Sequence, residues 1–198
     1  MPHPKYLGAA LATLLFVFSS LLMAHPLHGA RDFMADNFWQ GLLHPLLGLD
    51  HLLAALAVGF LAARQIGRVR WLAPLIFVIV MALGMRLATA GWTLWAVEAW
   101  IAVSLLGFGF AIARDVRGPA LIGVAMMGMF ALAHGYAHGY AHGLDMPSSG
   151  AASVMGILLA TSVLHLLGYA FSAWTRRQLY SRGIAFALLG TGAWHLVF

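Results

Sequence analysis

Apolar residues run through this chain in long blocks, separated by short stretches that hold most of its charge. Six blocks follow one another: Phe38 to Ala63, Trp71 to Ala88, Trp92 to Ala113, Ala120 to His142, Ala151 to Trp174, and Ser181 to Val197. A helix rises about 1.5 Å per residue, so each block reaches, or nearly reaches, across the ~30 Å of a hydrocarbon core. The expected fold class is therefore all-α, a polytopic membrane helical bundle of six transmembrane helices. A further apolar run, Leu7 to Leu22, precedes them, with Lys5 before it and small Ala24 after it. That layout fits a secretory signal better than a full span, so residues 1–24 are expected to be cleaved and residues 25–198 to form one transmembrane domain. Leu22 stands where a smaller residue is preferred, which keeps an uncleaved seventh helix as the alternative. On either reading the segment from His25 to Asn37 emerges outside.

The charged stretches carry the orientation. Arg64, Arg68 and Arg70 fill the first connection, Arg114 and Arg117 the third, and Arg176, Arg177 and Arg182 the fifth, which together hold eight of the eleven basic residues. By the positive-inside rule these three connections are cytoplasmic, and the mature amino terminus, the other connections and the carboxyl terminus face the periplasm of a bacterial inner membrane. Topology thus explains the net charge of +5 without a nucleic-acid partner. Trp39, Trp71, Trp92, Trp95, Trp100, Trp174 and Trp194 lie mostly toward segment ends, as interfacial anchors do. No soluble domain and no glycine-rich nucleotide loop interrupts the blocks, so nothing in the chain hydrolyses ATP to drive transport. The composition agrees, at 62% hydrophobic and 9% charged residues. With no cysteine, thiolate metal sites and disulfides are excluded, and any metal must be held by nitrogen and oxygen. The chain has ten histidines to supply the nitrogen.

Three of them form the one internal repeat, Ala-His-Gly-Tyr, Ala-His-Gly-Tyr, Ala-His-Gly-Leu, from Ala133 to Leu144. At a spacing of four, His134, His138 and His142 line one face of a helix with about 6 Å of rise between neighbours. Imidazole suits nickel, copper, zinc and cobalt, and two histidines one turn apart can chelate one ion. The structural alternative is polar glue between helices, but three in register beside an acid favour function, because ionisable groups inside a membrane are costly. Asp145 follows as a hard ligand where the helix should give way to Met146-Pro147. Gly135, Gly139 and Gly143 keep the same interval and make a small face that another helix can approach closely, within one chain or between two copies. The first segment is the expected partner within the chain.

That first segment carries His44-Pro45-Leu46-Leu47-Gly48-Leu49-Asp50-His51. His44 and His51 are two turns apart on one face if the helix is continuous, while Pro45 and Gly48 predict a loosened or freshly started turn. Asp50 is placed either to bind metal or to orient an imidazole. At this point the chain resembles the HupE/UreJ family of nickel and cobalt permeases, whose first helix carries His-Pro-x-x-Gly-x-Asp-His, matched by residues 44 to 51. The family's second signature, roughly His-Gly-x-Ala-x-Gly-x-Glu, is similar to His138 through Asp145, with aspartate in place of glutamate. Ala137 departs from an expected aromatic residue, and His134 is an added histidine one turn deeper. The resemblance implies six spans after a signal and metal uptake through His44, Asp50, His51, His138, His142 and Asp145. It also implies nickel as the transported ion, with cobalt second, in support of hydrogenase or urease maturation.

Weaker features remain. His25 and His28 would lie on the mature amino-terminal tail and capture metal ahead of the path. His165 and His195 are single histidines of the fifth and sixth segments, the kind more often engaged as hydrogen-bonding partners at helix contacts. Arg86 and Glu98 are expected to pair across the periplasmic side. The reading that follows is a secondary permease, not an enzyme. Its rivals are a membrane b-type cytochrome with bis-histidine haem ligation and an intramembrane metallohydrolase, which would lack any His-Glu-x-x-His element.

Overall fold

The computed structural model describes residues 38–116, 120–145, 151–175 and 178–197. The expected signal segment with its expected cleavage site, His25 and His28 lie outside the described residues. Within them the chain is all-helical, with α1 Phe38–Leu47, α2 Leu49–Ala62, α3 Val69–Thr89, α4 Val97–Ala113, α5 Ala120–Asp145, α6 Ala151–Trp174 and α7 Gln178–Val197. By length and composition α3 and α6 can each cross a membrane, and α1 with α2 makes a third span if the bent pair is taken as one.

The bend in that pair is 86°. Pro45 lies inside α1 and has no amide proton to give the preceding turn. Three residues on, Gly48 leaves helical geometry for an extended conformation, with φ −97° and ψ 115°. The helix restarts at once, with Leu52 N–H donating to the Gly48 carbonyl at 2.9 Å. The predicted segment from Phe38 to Ala63 is thus two helices meeting at an elbow. The third segment begins later than expected, at Val97 rather than Trp92, because Gly91 and Ala96 adopt positive φ and hold the intervening residues in a loop. The fourth runs on from His142 to Asp145.

Outward faces are apolar. Leu72, Leu75, Ile79 and Leu83 recur along one side of α3, and Met155, Leu159, Val163 and Leu167 along one side of α6, all exposed. Stripes this long on adjacent elements are what lipid, not water, covers. Trp39, Trp71, Trp92, Trp95, Trp174 and Trp194 also face outward. The polar side chains Ser104, His134, His138, Ser153, Thr161 and His165 point inward and are buried. This is a membrane protein that buries several polar side chains in an otherwise apolar core and presents apolar stripes outward.

The broadest contacts pair α3 with α5, α4 with α7, and both α1 and α2 with α6. Each pairing runs through glycine, where backbones meet without a Cβ between them. Gly41 meets α6 at Ser153 and Gly156, and Gly59 meets it farther along at His165, so the elbow pair and α6 run in the same overall direction. Gly84 meets Leu132 and Tyr136, and Gly139 meets Met85 and Ala88, so α3 and α5 are also parallel. Gly109 lies against Ala185, whereas Gly192 lies against Ala102, so α4 and α7 are antiparallel. These are the relations that successive traversals of alternating direction require. The ends of α2 and α4 and the start of α7 are tied together by Arg64, which donates to Asp115 at 3.0 Å and to Ser181 at 2.6 Å.

Two expectations are corrected here. The partner of the glycine stripe is the second segment, not the first: a Cβ on Gly135 would overlap the Met81 carbonyl, and one on Gly139 would lie 2.6 Å from the Met85 carbonyl oxygen. The reason is angular. Adjacent residues on a helix are rotated by about 100°, so the glycines beside His134 and His138 look toward a different neighbour from the histidines. At Gly135 and Gly139 the small face is therefore filled within the chain. Arg86 and Glu98 are both exposed and are not among the ion pairs within 4.0 Å formed by the described residues.

Candidate metal site

The elbow turns the first-segment motif toward α5. His44 stands in the last turn of α1, and Asp50 and His51 in the first turn of α2, where a carboxylate also complements the helix N-terminus. From α5 come His134 and His138, each 2% exposed. The His51 and His138 ring centroids are 4.3 Å apart, His51 and His134 5.1 Å, and His44 and His138 5.0 Å, all edge to face. Five of the residues singled out in the sequence, His44, Asp50, His51, His134 and His138, are thus brought together from two segments far apart in the chain. Helix α5 continues through His142 to Asp145, but the side chains of those two residues lie outside the described set.

Hydrogen bonds to neighbouring groups fix two of the rings. His51 donates from Nδ1 to Asp50 Oδ2 at 2.6 Å, which in the neutral ring leaves the lone pair on Nε2 and gives Asp50 the geometry of an orienting group. Ser104 of α4, wholly buried, donates its single hydroxyl proton to the Ile101 carbonyl at 2.7 Å. Its contact with His134 Nε2 at 2.8 Å must then be accepted from that nitrogen, and the His134 lone pair sits on Nδ1. The two imidazoles flanking the centre are held in opposite tautomers by a carboxylate and by a hydroxyl.

Between them is a cavity of about 10 Å³ lined by Pro45, His51, Phe77, Met81, His134, His138 and Thr161 among others, enough for one water or one bare ion. No three histidine, aspartate or glutamate side chains among the described residues converge on a single ion position. The imidazoles meet instead in pairs, His51 touching both His134 and His138, and His138 also touching His44. Ser104, Phe77, Met81 and Thr161 were not singled out from the sequence. Only the two hydroxyls leave a trace there, Ser104 as a lone polar residue in an apolar run and Thr161 beside Ser162 in another, and neither could be given a partner. His195 lies half-exposed near the end of α7, and His165 is buried on α6 outside the cluster.

An all-helical membrane bundle with imidazoles gathered at a broken helix defines the class as a membrane protein with a buried histidine site. Comparison with known proteins makes this specific: the family profile described as HupE / UreJ protein matches residues 12–195. The chain belongs to the HupE/UreJ family, which is associated with hydrogenase and urease accessory function. It is 38% identical over 143 residues to Protein HupE of Rhizobium leguminosarum bv. viciae, covering 71% of this chain and 73% of that one. No solved structure matches.

Proposed function

We propose that this chain is a secondary permease of the bacterial inner membrane that imports a divalent transition-metal ion, nickel first and cobalt second, from periplasm to cytoplasm. The ion would serve metalloenzyme maturation such as that of hydrogenase or urease. The observation that carries the reading is the contact of His51 with both His138 and His134, which joins the two family motifs at one buried place. Hydrated metal sheds water at a mouth formed by His142 and Asp145, meets His44 and His138, passes to His51 Nε2 and then to His134 Nδ1. Every transfer exchanges one imidazole nitrogen for another, so no covalent chemistry is assigned to the site. The membrane potential supplies direction: a doubly charged ion gains about 4–5 kcal/mol per 100 mV on moving inward. The arginine-rich connections that share an end with Arg64 face the cytoplasm, and the mature chain begins after Ala24.

The haem alternative loses ground on size. A cavity of about 10 Å³ walled by Pro45, Phe77 and Met81 has no room for a porphyrin between the imidazoles. The test is calorimetric titration of the purified, detergent-solubilised protein with nickel, cobalt and zinc, beside His44→Ala and His138→Ala. Saturable binding of nickel, lost in both variants, is expected. Unchanged binding in both, or a Soret band in the parent, would sink the permease reading.

A further inference from the structure

One buried imidazole takes no part in the cluster. His165 of α6 is 3% exposed, and neither its Nδ1 nor its Nε2 has a hydrogen-bond partner. Buried polar groups in folded proteins are nearly always paired, so an imidazole with no protein partner on either nitrogen points to a visitor that pairs with it. Its placement says which visitor. The Phe77 ring lies against His165 at a centroid distance of 5.2 Å and against His134 at 6.2 Å, so a single aromatic ring stands between His165 and the deepest member of the cluster. Thr161, one turn before His165 on the same face of α6, lines the cavity that His51, His134 and His138 share. Ser153, Thr161, His165 and Ser172 are all buried and make a polar line along a helix whose outward face is apolar. His165 is one turn nearer the Arg64 end than Thr161, and the α2 backbone closes on it at Gly59.

We propose that His165 is a transit ligand for the transported ion, a separate station beyond the Phe77 ring from the His44, His51, His134 and His138 cluster. The proposal rests on the permease reading. It adds a third segment, the fifth, to the ligands of the path and makes Phe77 the partition that an ion must pass to leave the cluster. Imidazole nitrogen is the ligand type that a borderline divalent cation has held up to that point, so the ion crosses the ring without returning to water. Water alone would also satisfy the two nitrogens, and the experiment separates the two visitors.

The full chain is prepared as parent, His165→Phe and His165→Gln, and each is measured twice. Nickel binding is read by calorimetry in detergent, and nickel uptake by proteoliposomes containing a nickel-sensitive dye. The expected result is binding within about twofold of the parent and uptake lowered by about tenfold or more in both variants, the scale of losing a metal-binding partner. Parental uptake in either variant overturns the proposal and leaves His165 as a packed or hydrated group. Loss of binding together with uptake in both, or failure of both to fold, also overturns it, because His165 would then belong to the cluster or to the scaffold. If one variant fails to fold, the other decides. Failure of the permease reading is separately visible, since His44→Ala and His138→Ala would then bind nickel as the parent does.

Discussion

Asp50→Asn tests most directly how the site works. The carboxylate accepts from His51 Nδ1 at 2.6 Å, and both side chains are only 15% exposed, so little water competes for the bond. Asparagine keeps the shape but offers a neutral carbonyl, whose hydrogen bond is roughly half as strong as a charge-assisted one. Its amide can also turn its NH₂ toward the ring, which would push the proton to Nε2 and close the nitrogen that meets the ion. Losing an orienting partner of this kind costs about 10- to 100-fold in metal affinity, or about 1.4–2.7 kcal/mol. Calorimetry on the detergent-solubilised protein reads this directly. Because Asp50 is argued to act through His51, the same substitution in a His51→Ala background should cost nothing further, the non-additivity expected of residues in one network. An equal loss in both backgrounds would refute the argument and make Asp50 a ligand in its own right, and binding within about twofold of the parent would refute it outright.

Ser104→Ala removes the acceptor that holds His134 in one tautomer, so nickel affinity should fall by about tenfold; Ser104→Thr, which keeps the hydroxyl, should restore it in the same titration. Gly135→Val drives a side chain into the Met81 carbonyl and should abolish recovery of a monodisperse protein by size-exclusion chromatography. Gly123→Ala on the same helix, where a Cβ meets nothing within 4 Å, should leave the elution profile unchanged. Only neutral imidazole binds metal, so nickel affinity should weaken as the medium is acidified; affinity that rises on acidification would mean that histidine is not the ligand.

Much of this architecture is legible in the residues, and the misses have physical causes. Block lengths and arginine placement are local properties, and they locate the helices to within a few residues, apart from the later start at Val97. The break was readable from Pro45 and Gly48, but not its 86° angle, which depends on α6 receiving both halves. The meeting of the first segment's histidines with those of α5 was expected from their two motifs, and the contacts of His44 and His51 with His134 and His138 show it. Ser104 could not be found that way, because its role exists only once α4 lies against α5. The stripe from Gly135 to Gly143 announces that a helix comes close but carries no information about which one.

The elbow also bears on how the protein is made. Both of its arms lean on α6, at Gly41 and at Gly59, while the backbone at Gly48 has left its helix. Chains are synthesised from the amino terminus, so the arms and their histidines are in place long before the helix that braces them. Until Ser153 and His165 have been made, the break has no splint, and lipid offers its open backbone groups nothing to bond to. The site is thus completed late, by the fifth segment, and a nascent chain stopped before α6 holds every residue of the histidine cluster without the support that fixes the angle between them.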